Sequence, residues 1–548
     1  MNGAEMVVEA LRREGLTHVF GLPGTTTMHL LDALGREPEI RYVSVRHEQV
    51  AAFMADGFAR ASGGLAACLV SRGPGSANLA TGIHNAHAES VPVLVLAGQV
   101  GDDVAHREAF EEMDLVGLFG PMTKWAVEVH DAARLPELVQ RAVRTALAGR
   151  PRPVLVSLPL DLQRQEVAEP AFQPRFRVPR PQPQAAELEA AADLLAGSER
   201  PLVLVGGGAA AEPARAAVAA VAEALQAPVA TTWARNAAFP NHHPLYVGAL
   251  GYGVLPVTEQ ALAQADVLLS LGCRFSEFTT RRWRAVSTAT RLVQCDVDPE
   301  EVGRVYVPEV ALLGDAGATA LALATVVAGR NGPLASRRRR ADDLRRRYCE
   351  ESVLPPAAGA ASGVPSRAVV EALRSVLTRR PATLLGDAAS FGPWLHRYVG
   401  YERAGSYVGS AGGAMGWGFP AAMGVQLARP RERVLCVSGD GAFWMVAQDL
   451  ETAVRERIPV VTLVTNNFAF GNTRDRQRIE HGGRYLGVFY DNPDFAAYAR
   501  LLGAHGERVE RAEDLVPAIE RSLDSGLPAV VDVIQDRSEG LPPDLAPP

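Results

Sequence analysis

The sequence has few cysteines, no apolar run long enough to span a bilayer and no excess of basic side chains. Five cysteines in 548 residues are widely scattered without a C-x-x-C pair, so they predict neither a disulfide framework nor a zinc site. Apolar runs such as VPVLVLAG are far shorter than the ~20 residues of a membrane span. A net charge of -7 disfavours a nucleic-acid binder, because such proteins need a basic surface to displace phosphate counterions. We therefore expect a small-molecule partner.

The N-terminal segment MNGAEMVVEALRREG also lacks the continuous apolar core of a signal peptide. Hydrophobic content of 47% and charged content of 21% are typical of a globular protein with ample apolar surface to bury. The chain is too long for one hydrophobic core, and its length favours about three or four domains. These features predict a cytoplasmic, multidomain protein.

Short β-rich runs alternate with amphipathic helical stretches along most of the chain. This alternation predicts an α/β fold of parallel sheets covered by helices. A proline-rich stretch around residues 165–185 and the segment around residues 327–365 interrupt it, which leaves α/β blocks near residues 1–165, 185–327 and 365–537. The second interruption contains SRRRRADDLRRRYCEE, which we interpret as a solvated connecting helix because acidic residues accompany the arginines.

The third block contains two apolar strands that end in residues suited to a metal and a phosphate. One ends in Gly439, Asp440 and Gly441, and the next ends at Asn467, which lies 27 residues after Asp440. Ligands of parallel sheets bind outside the carboxyl ends of strands. Mg²⁺ prefers hard oxygens, which Asp440, the Asn467 amide and the Ala469 carbonyl supply. Either motif alone is a common turn, but the pair in a strand, helix, strand context is specific.

The pair resembles the GDG…NN thiamine-diphosphate motif of the acetolactate synthase family, which includes related decarboxylases, lyases and carboligases. In block one, the segments FGLPGTTTMHLLDAL, VRHEQVAAFMADGFARASG and VSRGPGSAN are similar to the family's pyrimidine-binding domain. The resemblance implies three doubly wound α/β domains: pyrimidine-binding, central and diphosphate-binding. It also implies a cofactor held between the first domain of one subunit and the third of another, hence at least a homodimer; dimer against tetramer stays open.

Glu48 is the first catalytic candidate. It lies where the strand RYVSVR passes into a helix, and its ordinary alternative is a glutamate that compensates the helix dipole. The resemblance implies that it contacts N1′ of the aminopyrimidine. Sharing a proton there favours the 4′-imino tautomer, whose nitrogen removes the C2 proton of the thiazolium; a partly buried carboxylate suits that role.

Further cofactor contacts follow from the same resemblance. The Gly413 carbonyl would receive N4′-H, the Met415 side chain would prop the thiazolium, and Met445 would contact the pyrimidine, although each methionine is also ordinary core filler. Thiamine diphosphate and Mg²⁺ are the cofactors implied. The remaining cofactor-binding candidates are Gly24, Pro74, Asn78, Gly439, Gly441, Ala442, Phe470 and Gly471.

The substrate-pocket candidates also come from the resemblance. Gln99 and Glu111 are further catalytic candidates, and Glu111 in AFEEMD stands where acetolactate synthases have a glutamine. The string resembles YEEMD of oxalyl-CoA decarboxylase, and an acid there suits proton donation or water positioning. Phe278 replaces an arginine that, in the family, helps to recognise the carboxylate of the second substrate. The other pocket candidates are Arg72, Phe110, Lys124 and Phe468.

The central block carries a weak nucleotide signal. PLVLVGGGAAAEPARAA is a strand, a glycine turn and a helix, a common arrangement. Acetolactate synthases bind FAD in this domain, but GALGYGV lacks the family's histidine, so occupancy by FAD or by another adenine nucleotide stays open. The residues concerned are Gly206, Gly207, Arg274 and Asp296.

The sequence thus predicts an acetolactate synthase-like enzyme that decarboxylates a 2-oxoacid and ligates the product to an acceptor. An enzyme acting on an acyl-CoA, of the 2-hydroxyacyl-CoA lyase or oxalyl-CoA decarboxylase type, is the enzymatic alternative. A non-catalytic nucleotide-binding module is the alternative of another class, although such a module would not need Glu48, Asp440 and Asn467 together. An NAD oxidoreductase leaves the outer blocks unexplained.

Overall fold

A computed structural model describes residues 1–330, 332, 334–356, 362–387, 390–542 and 545. The chain forms three six-stranded sheets, one in each block, and every strand pair within them is parallel. Helices cover both faces of the sheets, and the cores lie between the helices and the sheets. The predicted fold class, three doubly wound α/β domains, is confirmed.

Block one orders its strands 2-1-3-4-6-5 across the sheet. Its strands are β1 (His18–Gly21), β2 (Arg41–Ser44), β3 (Ala66–Ser71), β4 (Val93–Gln99), β5 (Trp125–Glu128) and β6 (Val154–Pro159). Its helices are α1 (Gly3–Glu14), α2 (Met28–Gly35), α3 (Glu48–Ser62), α4 (Arg72–Glu89), α5 (Leu115–Phe119), α6 (Leu135–Leu147) and α7 (Leu160–Arg164).

Block two orders its strands 6-5-4-1-2-3, which is the dinucleotide-binding order 3-2-1-4-5-6 seen from the other side. Its strands are β7 (Pro201–Val205), β8 (Val229–Thr231), β9 (Tyr246–Ala249), β10 (Val267–Leu271), β11 (Arg291–Asp296) and β12 (Val310–Leu313). Its helices, together with the one that follows it, are α8 (Ala185–Gly197), α9 (Ala214–Leu225), α10 (Pro256–Ala263), α11 (Ala316–Ala328) and α12 (Leu334–Glu351).

Block three repeats the strand order of block one, 2-1-3-4-6-5, so the two outer blocks share one topology. Its strands are β13 (Ala382–Gly386), β14 (Tyr407–Gly409), β15 (Arg433–Gly439), β16 (Val461–Asn466), β17 (His505–Val509) and β18 (Ala529–Ile534). Its helices are α13 (Ser366–Arg379), α14 (Gly392–Tyr398), α15 (Gly418–Ala428), α16 (Asp440–Trp444), α17 (Leu450–Glu456), α18 (Gly471–Glu480), α19 (Phe495–Leu501) and α20 (Ala512–Asp524).

The outer blocks pack together through a close crossing of α3 and α15. Glycines allow this crossing: a Cβ on Gly57 would lie 2.1 Å from the Ala421 carbonyl oxygen, and one on Gly424 would lie 2.1 Å from that of Met54. Side chains of both blocks then share one continuous apolar core. The first turn of α3 and the loop that precedes α15 are thereby fixed relative to each other.

The arginine run forms helix α12, as predicted, but the prediction that this helix is solvated is wrong for one of its faces. Arg337 is 1% exposed and donates to the carbonyls of Leu195 and Leu225, where α8 and α9 end. Arg345 donates to the carbonyl of Tyr246 in β9. Helix-end carbonyls lack intrahelical partners, and a buried guanidinium satisfies several at once. The arginines therefore bind the helix to block two.

Candidate active site

Asp440 begins α16 at the carboxyl end of β15, where the backbone and a neighbouring amide hold its carboxylate. Oδ1 accepts the N–H of Gly441 at 3.0 Å, and Oδ2 accepts the N–H of Phe468 at 2.8 Å. Oδ2 also accepts from Asn492 Nδ2 at 2.8 Å. Burial raises the pKa of Asp440 to about 6, against the lowering effect of these hydrogen bonds. A buried carboxylate of this kind favours a nearby cation.

Asn467 follows the carboxyl end of β16, and its amide also has partners. Its Oδ1 accepts the N–H of Ala469 at 3.2 Å, and its Nδ2 donates to the carbonyl of Glu539 at 2.9 Å. β15 and β16 are neighbours in the sheet, with Gly439 opposite Thr465. Asp440 and Asn467 therefore lie at the same edge of the sheet, next to each other.

Two residues at this edge were missed by the sequence reasoning. Asn492 donates to both Asp440 and Asn466, and its Oδ1 accepts from the indole of Trp444 at 2.8 Å. Tyr490 lies next to Asp440, because a Cβ on Gly441 would stand 2.7 Å from its hydroxyl oxygen. Burial and the Asp440 charge raise the pKa of that hydroxyl. Both lie in the irregular segment YDNPD, where the only sequence signal was an Asn-Pro turn.

Glu48 is the first residue of α3, as predicted from the strand that precedes it. Its carboxyl group is mostly buried, and Oε2 accepts from Asn78 Nδ2 at 3.0 Å. Oε1 faces Gly75, where a Cβ would stand 3.1 Å from it. Pro74 is in the same first turn of α4. Two helix N-termini, of α3 and α4, thus surround the carboxylate.

Gly24 lies at the same edge of block one. A Cβ on Gly24 would be 2.2 Å from the Cβ of Ser71, so only glycine allows this approach to the end of β3. The Gly24 N–H donates to Thr27 Oγ1 at 3.2 Å. The turn of residues 24–27 therefore packs on the carboxyl edge of the block-one sheet, which also carries Glu48.

The loop of residues 410–417 joins β14 to α15 and carries Gly413 and Met415. Gly413 has φ +79° and Gly416 has φ +82°, a region that favours glycine. A Cβ on Gly416 would lie 3.3 Å from the Cβ of Met445 and 3.2 Å from the carbonyl of Ala442. The loop thus packs on α16, and the predicted cofactor residues of block three form one group. Gly441, Phe470 and Gly471 complete it, since a Cβ on Gly441 would meet the Phe470 ring and one on Gly471 would meet Asn467.

The substrate candidates divide into those brought together and those not. Arg72 Nη1 donates to the Phe110 carbonyl at 3.2 Å and lies 3.7 Å from Glu111 Oε2. Gln99 is buried at the end of β4, with Nε2 donating to the Met113 carbonyl at 2.8 Å. Arg72, Glu111 and Phe468 have φ values of 48°, 63° and 55°. Positive φ values of this kind are uncommon in residues other than glycine.

Lys124 lies elsewhere within the chain. It precedes β5, at the amino edge of the sheet, whereas Glu48, Arg72 and Gln99 lie at the carboxyl edge. Its ammonium group donates to the carbonyls of Ala148 and Arg150, the latter at 3.1 Å. One chain does not bring Lys124 to the other candidates.

The candidate nucleotide residues of block two contact protein groups. A Cβ on Gly206 would lie 2.1 Å from the Gly272 carbonyl, and one on Gly207 would lie 3.1 Å from Nε of Arg235. Arg274 donates to the carbonyl of Ala88 in block one. Asp296 accepts the N–H of Asp298 at 3.0 Å, and burial raises its pKa to about 6. Arg235 therefore occupies the space over the glycine turn.

The fold and these two polar sheet edges are those of an α/β protein with ligand sites at the carboxyl ends of its parallel strands. The chain matches family models described as the thiamine pyrophosphate enzyme N-terminal TPP binding domain over residues 1–118, the central domain over residues 188–323 and the C-terminal TPP binding domain over residues 387–533. Both outer blocks are therefore thiamine-diphosphate-binding domains.

Relatives resemble the chain over almost its whole length. The isozyme 2 large subunit of acetolactate synthase from Escherichia coli K12 is 33% identical over 100% of this chain and 98% of the relative. A probable acetolactate synthase large subunit from Methanocaldococcus jannaschii is 32% identical over 99% of this chain and 93% of the relative. The chain belongs to the thiamine-diphosphate-dependent acetolactate synthase-like family. It is a thiamine-diphosphate-dependent enzyme with an acetolactate synthase-like function. No helix among the described residues is long and apolar enough to cross a membrane.

Proposed function

We propose that Glu48 activates the thiamine diphosphate of this enzyme by holding a proton at N1′ of the aminopyrimidine. The observation that supports this role is the position of its carboxyl group at the start of α3, mostly buried, with Asn78 on one oxygen and Gly75 facing the other. Because residue 75 is a glycine, no side chain from that position covers Oε1. A carboxylate with one oxygen anchored and the other not covered from that side can orient on a ring nitrogen.

The residues of block three fit a metal-bound diphosphate. Asp440, the Asn467 amide oxygen and the Ala469 carbonyl are the hard oxygens that Mg²⁺ prefers. The raised pKa of Asp440 fits as well, because a cation would favour the ionised form that burial disfavours. Gly413, Met415 and Met445 would hold the rings, on the loop and helix that pack together. When bound, thiamine diphosphate supplies a nucleophilic carbon and an electron sink next to a substrate carbonyl.

We propose a homodimer as the smallest active unit, with Glu48 and Asp440 of different subunits at one cofactor. The contacts described for Glu48 lie in block one and those of Asp440 in block three. Apolar side chains at both edges are exposed in the single chain, with Phe110 at 77% and Met445 at 46%. A second copy would cover them. The boundaries 1–165, 185–327 and 365–537 are the domain limits we propose.

The substrate is a 2-oxoacid in this proposal, as the names of the relatives suggest. In the net reaction the C1–C2 bond of the 2-oxoacid breaks to release carbon dioxide, a new C–C bond joins the remaining acyl carbon to the acceptor carbonyl carbon, and one proton is taken up as the acceptor oxygen becomes a hydroxyl. Glu111, held near Arg72 and partly exposed, is placed to donate a proton or position water, while Arg72 offers a cation for a carboxylate. Gln99 and Phe468 would line the same pocket. Lys124 joins it only if contributed by another subunit.

A flavin step is not part of the proposed reaction. FAD at the glycine turn would need Arg235 to leave Gly207, and Arg235 is also paired with Glu89 at 2.5 Å. The visible absorption spectrum of the purified enzyme tests flavin occupancy directly.

The experiment that tests the proposal is deuterium exchange at C2 of bound thiamine diphosphate in Glu48→Gln, with Mg²⁺ saturating. We expect exchange to slow by a factor on the order of a hundred, the scale of one general acid–base contribution. Glu14→Gln is the matched control, a buried glutamate of block one that bonds Gln140 at 2.9 Å. Exchange at the wild-type rate in Glu48→Gln would refute the role. A screen of 2-oxoacids against acyl-CoA thioesters, read by product mass spectrometry, decides the substrate class.

A further inference from the structure

One buried carboxylate joins all three blocks at the loop of residues 410–417, which carries Gly413 and Met415. Glu89 ends α4, and its side chain is wholly buried. Its Oε2 accepts from Arg60 of α3 and from Arg235 of block two, the latter at 2.5 Å. Its Oε1 accepts the backbone N–H of Ala411, in the loop of residues 410–417. Glu89 is therefore the point at which block one and block two hold this loop.

The same two arginines also bind Gly409, the last residue of β14, which directly precedes the loop. The Gly409 carbonyl accepts from Arg60 Nη1 at 2.8 Å and from Arg235 Nη1 at 3.3 Å. Because Glu89 binds the other nitrogens of both guanidinium groups, its carboxylate fixes where they point. The loop is thus held at Gly409 through the arginines and at Ala411 directly.

A second residue of α4 holds the loop between these points. Asn85, one turn before Glu89, accepts from the Ser410 hydroxyl at 3.0 Å. The Ser410 hydroxyl in turn accepts the N–H of Gly412 at 3.2 Å. A Cβ on Gly412 would stand 2.3 Å from Asn85 Oδ1, so the backbone lies directly against α4. Gly413 comes next in the chain.

The charges require Glu89 to be ionised. Burial alone would raise the pKa of Glu89, but Arg235 and Arg60 outweigh it and lower the pKa to about 2. Arg60 also lies 3.2 Å from Asp56, whose pKa burial raises. Without the Glu89 charge, Arg235 would lose its ion pair and Arg60 would keep only Asp56, so both guanidinium groups would move toward solvent or other acceptors.

We propose that Glu89 is a positioning residue for the cofactor: through Ala411, Arg60 and Arg235 it sets the place of Gly413 and Met415. This inference rests on the proposed function, which assigns those two residues to the thiamine rings. Glu89 touches neither substrate nor cofactor. Its effect is on geometry, and a displacement of about 1 Å in a reacting group can cost on the order of a hundredfold in rate.

The test is Glu89→Gln, which keeps the shape and removes the charge. We expect the half-saturating concentration of thiamine diphosphate to rise and C2 deuterium exchange at saturating cofactor to slow, each by roughly ten- to a hundredfold. The KM of the 2-oxoacid should stay unchanged, and Glu89→Asp should recover part of the exchange rate. If Glu89→Gln does not fold, Ser410→Ala should show the same two changes to a smaller extent.

Glu301→Gln is the matched control. Glu301 is also buried, also paired with two arginines, Arg150 and Arg304, and also joins block one to block two. Its described contacts lie away from the loop of residues 410–417. Equal cofactor parameters in Glu89→Gln and Glu301→Gln, or wild-type parameters in Glu89→Gln, would overturn the inference. Absence of C2 exchange in the wild-type enzyme would instead refute the proposed function, so the two failures are distinguishable.

Discussion

The side-chain amide of Asn492 donates a hydrogen bond of 2.8 Å to Oδ2 of Asp440, the carboxylate at the tip of β15. The same nitrogen donates to Asn466 at 2.9 Å, and the amide oxygen accepts from Trp444 at 2.8 Å. Asn492 therefore connects the ends of β15 and β16 from the side. Residues that orient metal ligands in this way contribute to metal affinity without contacting the metal.

Asn492→Ala should weaken Mg²⁺ binding, because Asp440 loses the donor that fixes Oδ2. We expect the half-saturating Mg²⁺ concentration to rise by roughly ten- to a hundredfold, the usual effect of removing such a partner. The measurement is activity against Mg²⁺ concentration after EDTA treatment, at saturating thiamine diphosphate. Gln426→Ala removes another buried amide of block three, bonded to the Glu432 carbonyl at 2.9 Å, and should leave this concentration unchanged. A wild-type Mg²⁺ curve for Asn492→Ala would contradict the prediction.

Gly75→Ala should slow cofactor activation without unfolding the protein. The new Cβ would stand 3.1 Å from Glu48 Oε1 and would displace the carboxylate by a few tenths of an ångström or cover its open oxygen. We expect C2 deuterium exchange to fall by about tenfold, since small displacements of reacting groups are costly. Gly35→Ala is the control, because nothing lies within 4 Å of a Cβ at that helical position. Unchanged exchange in Gly75→Ala would show that the carboxylate tolerates the methyl group.

The pH dependence of stability should carry the signature of Glu89. Its pKa in the folded protein is about 2, below the ordinary value of 4.5, so its contribution to stability is present above pH 4.5 and is lost as the pH falls toward 2. From this difference, wild type should lose about 2 kcal/mol more free energy of unfolding than Glu89→Gln between pH 6 and pH 3. Chemical denaturation at both pH values measures it, and parallel losses in the two proteins would contradict the assignment.

The sequence predicts the contacts between residues that are close along the chain better than the contacts between residues that are far apart along it. The positions of Asp440 and Glu48 follow from strand, turn and helix succeeding one another along the chain, because the edge of a parallel sheet collects such ends. The role predicted for Glu48 comes from the family resemblance. Asn492 was missed because it lies 52 residues after Asp440 in the chain, in a segment without regular structure. The exposure of the α12 arginines was predicted wrongly for the same reason. Charge patterning predicts a helix, but the carbonyls that accept hydrogen bonds from the buried Arg337 belong to α8 and α9. Lys124 shows where prediction of the pocket stops. The family resemblance assigns it to the pocket, but within a single chain it lies at the amino edge of the block-one sheet, away from the other candidates.

Phe278 is the residue through which we expect the choice of acceptor substrate to be testable. It is 41% exposed and stacks on Trp233, with ring centroids 5.7 Å apart and an interplanar angle of 22°. Tyr252 lies 6.5 Å from the Phe278 ring, and Trp233 packs edge to face on His396 of α14 with ring centroids 4.2 Å apart, so these aromatic rings lie against block three. The family resemblance implies an arginine at this position in acetolactate synthases, and a guanidinium group can stack on Trp233 as the ring does.

Phe278→Arg should therefore restore a cation where this chain has an apolar surface. We expect the ratio of kcat/KM for an anionic 2-oxoacid acceptor to that for a neutral aldehyde to rise by about tenfold, the scale of one charge-assisted contact. Competition between the two acceptors, with both products quantified by mass spectrometry, measures the ratio. Phe278→Leu is the control, since it removes the ring without adding charge. If Phe278→Leu shifts the ratio as far as Phe278→Arg does, the ring excludes the anionic acceptor by bulk, and charge has no part in the choice.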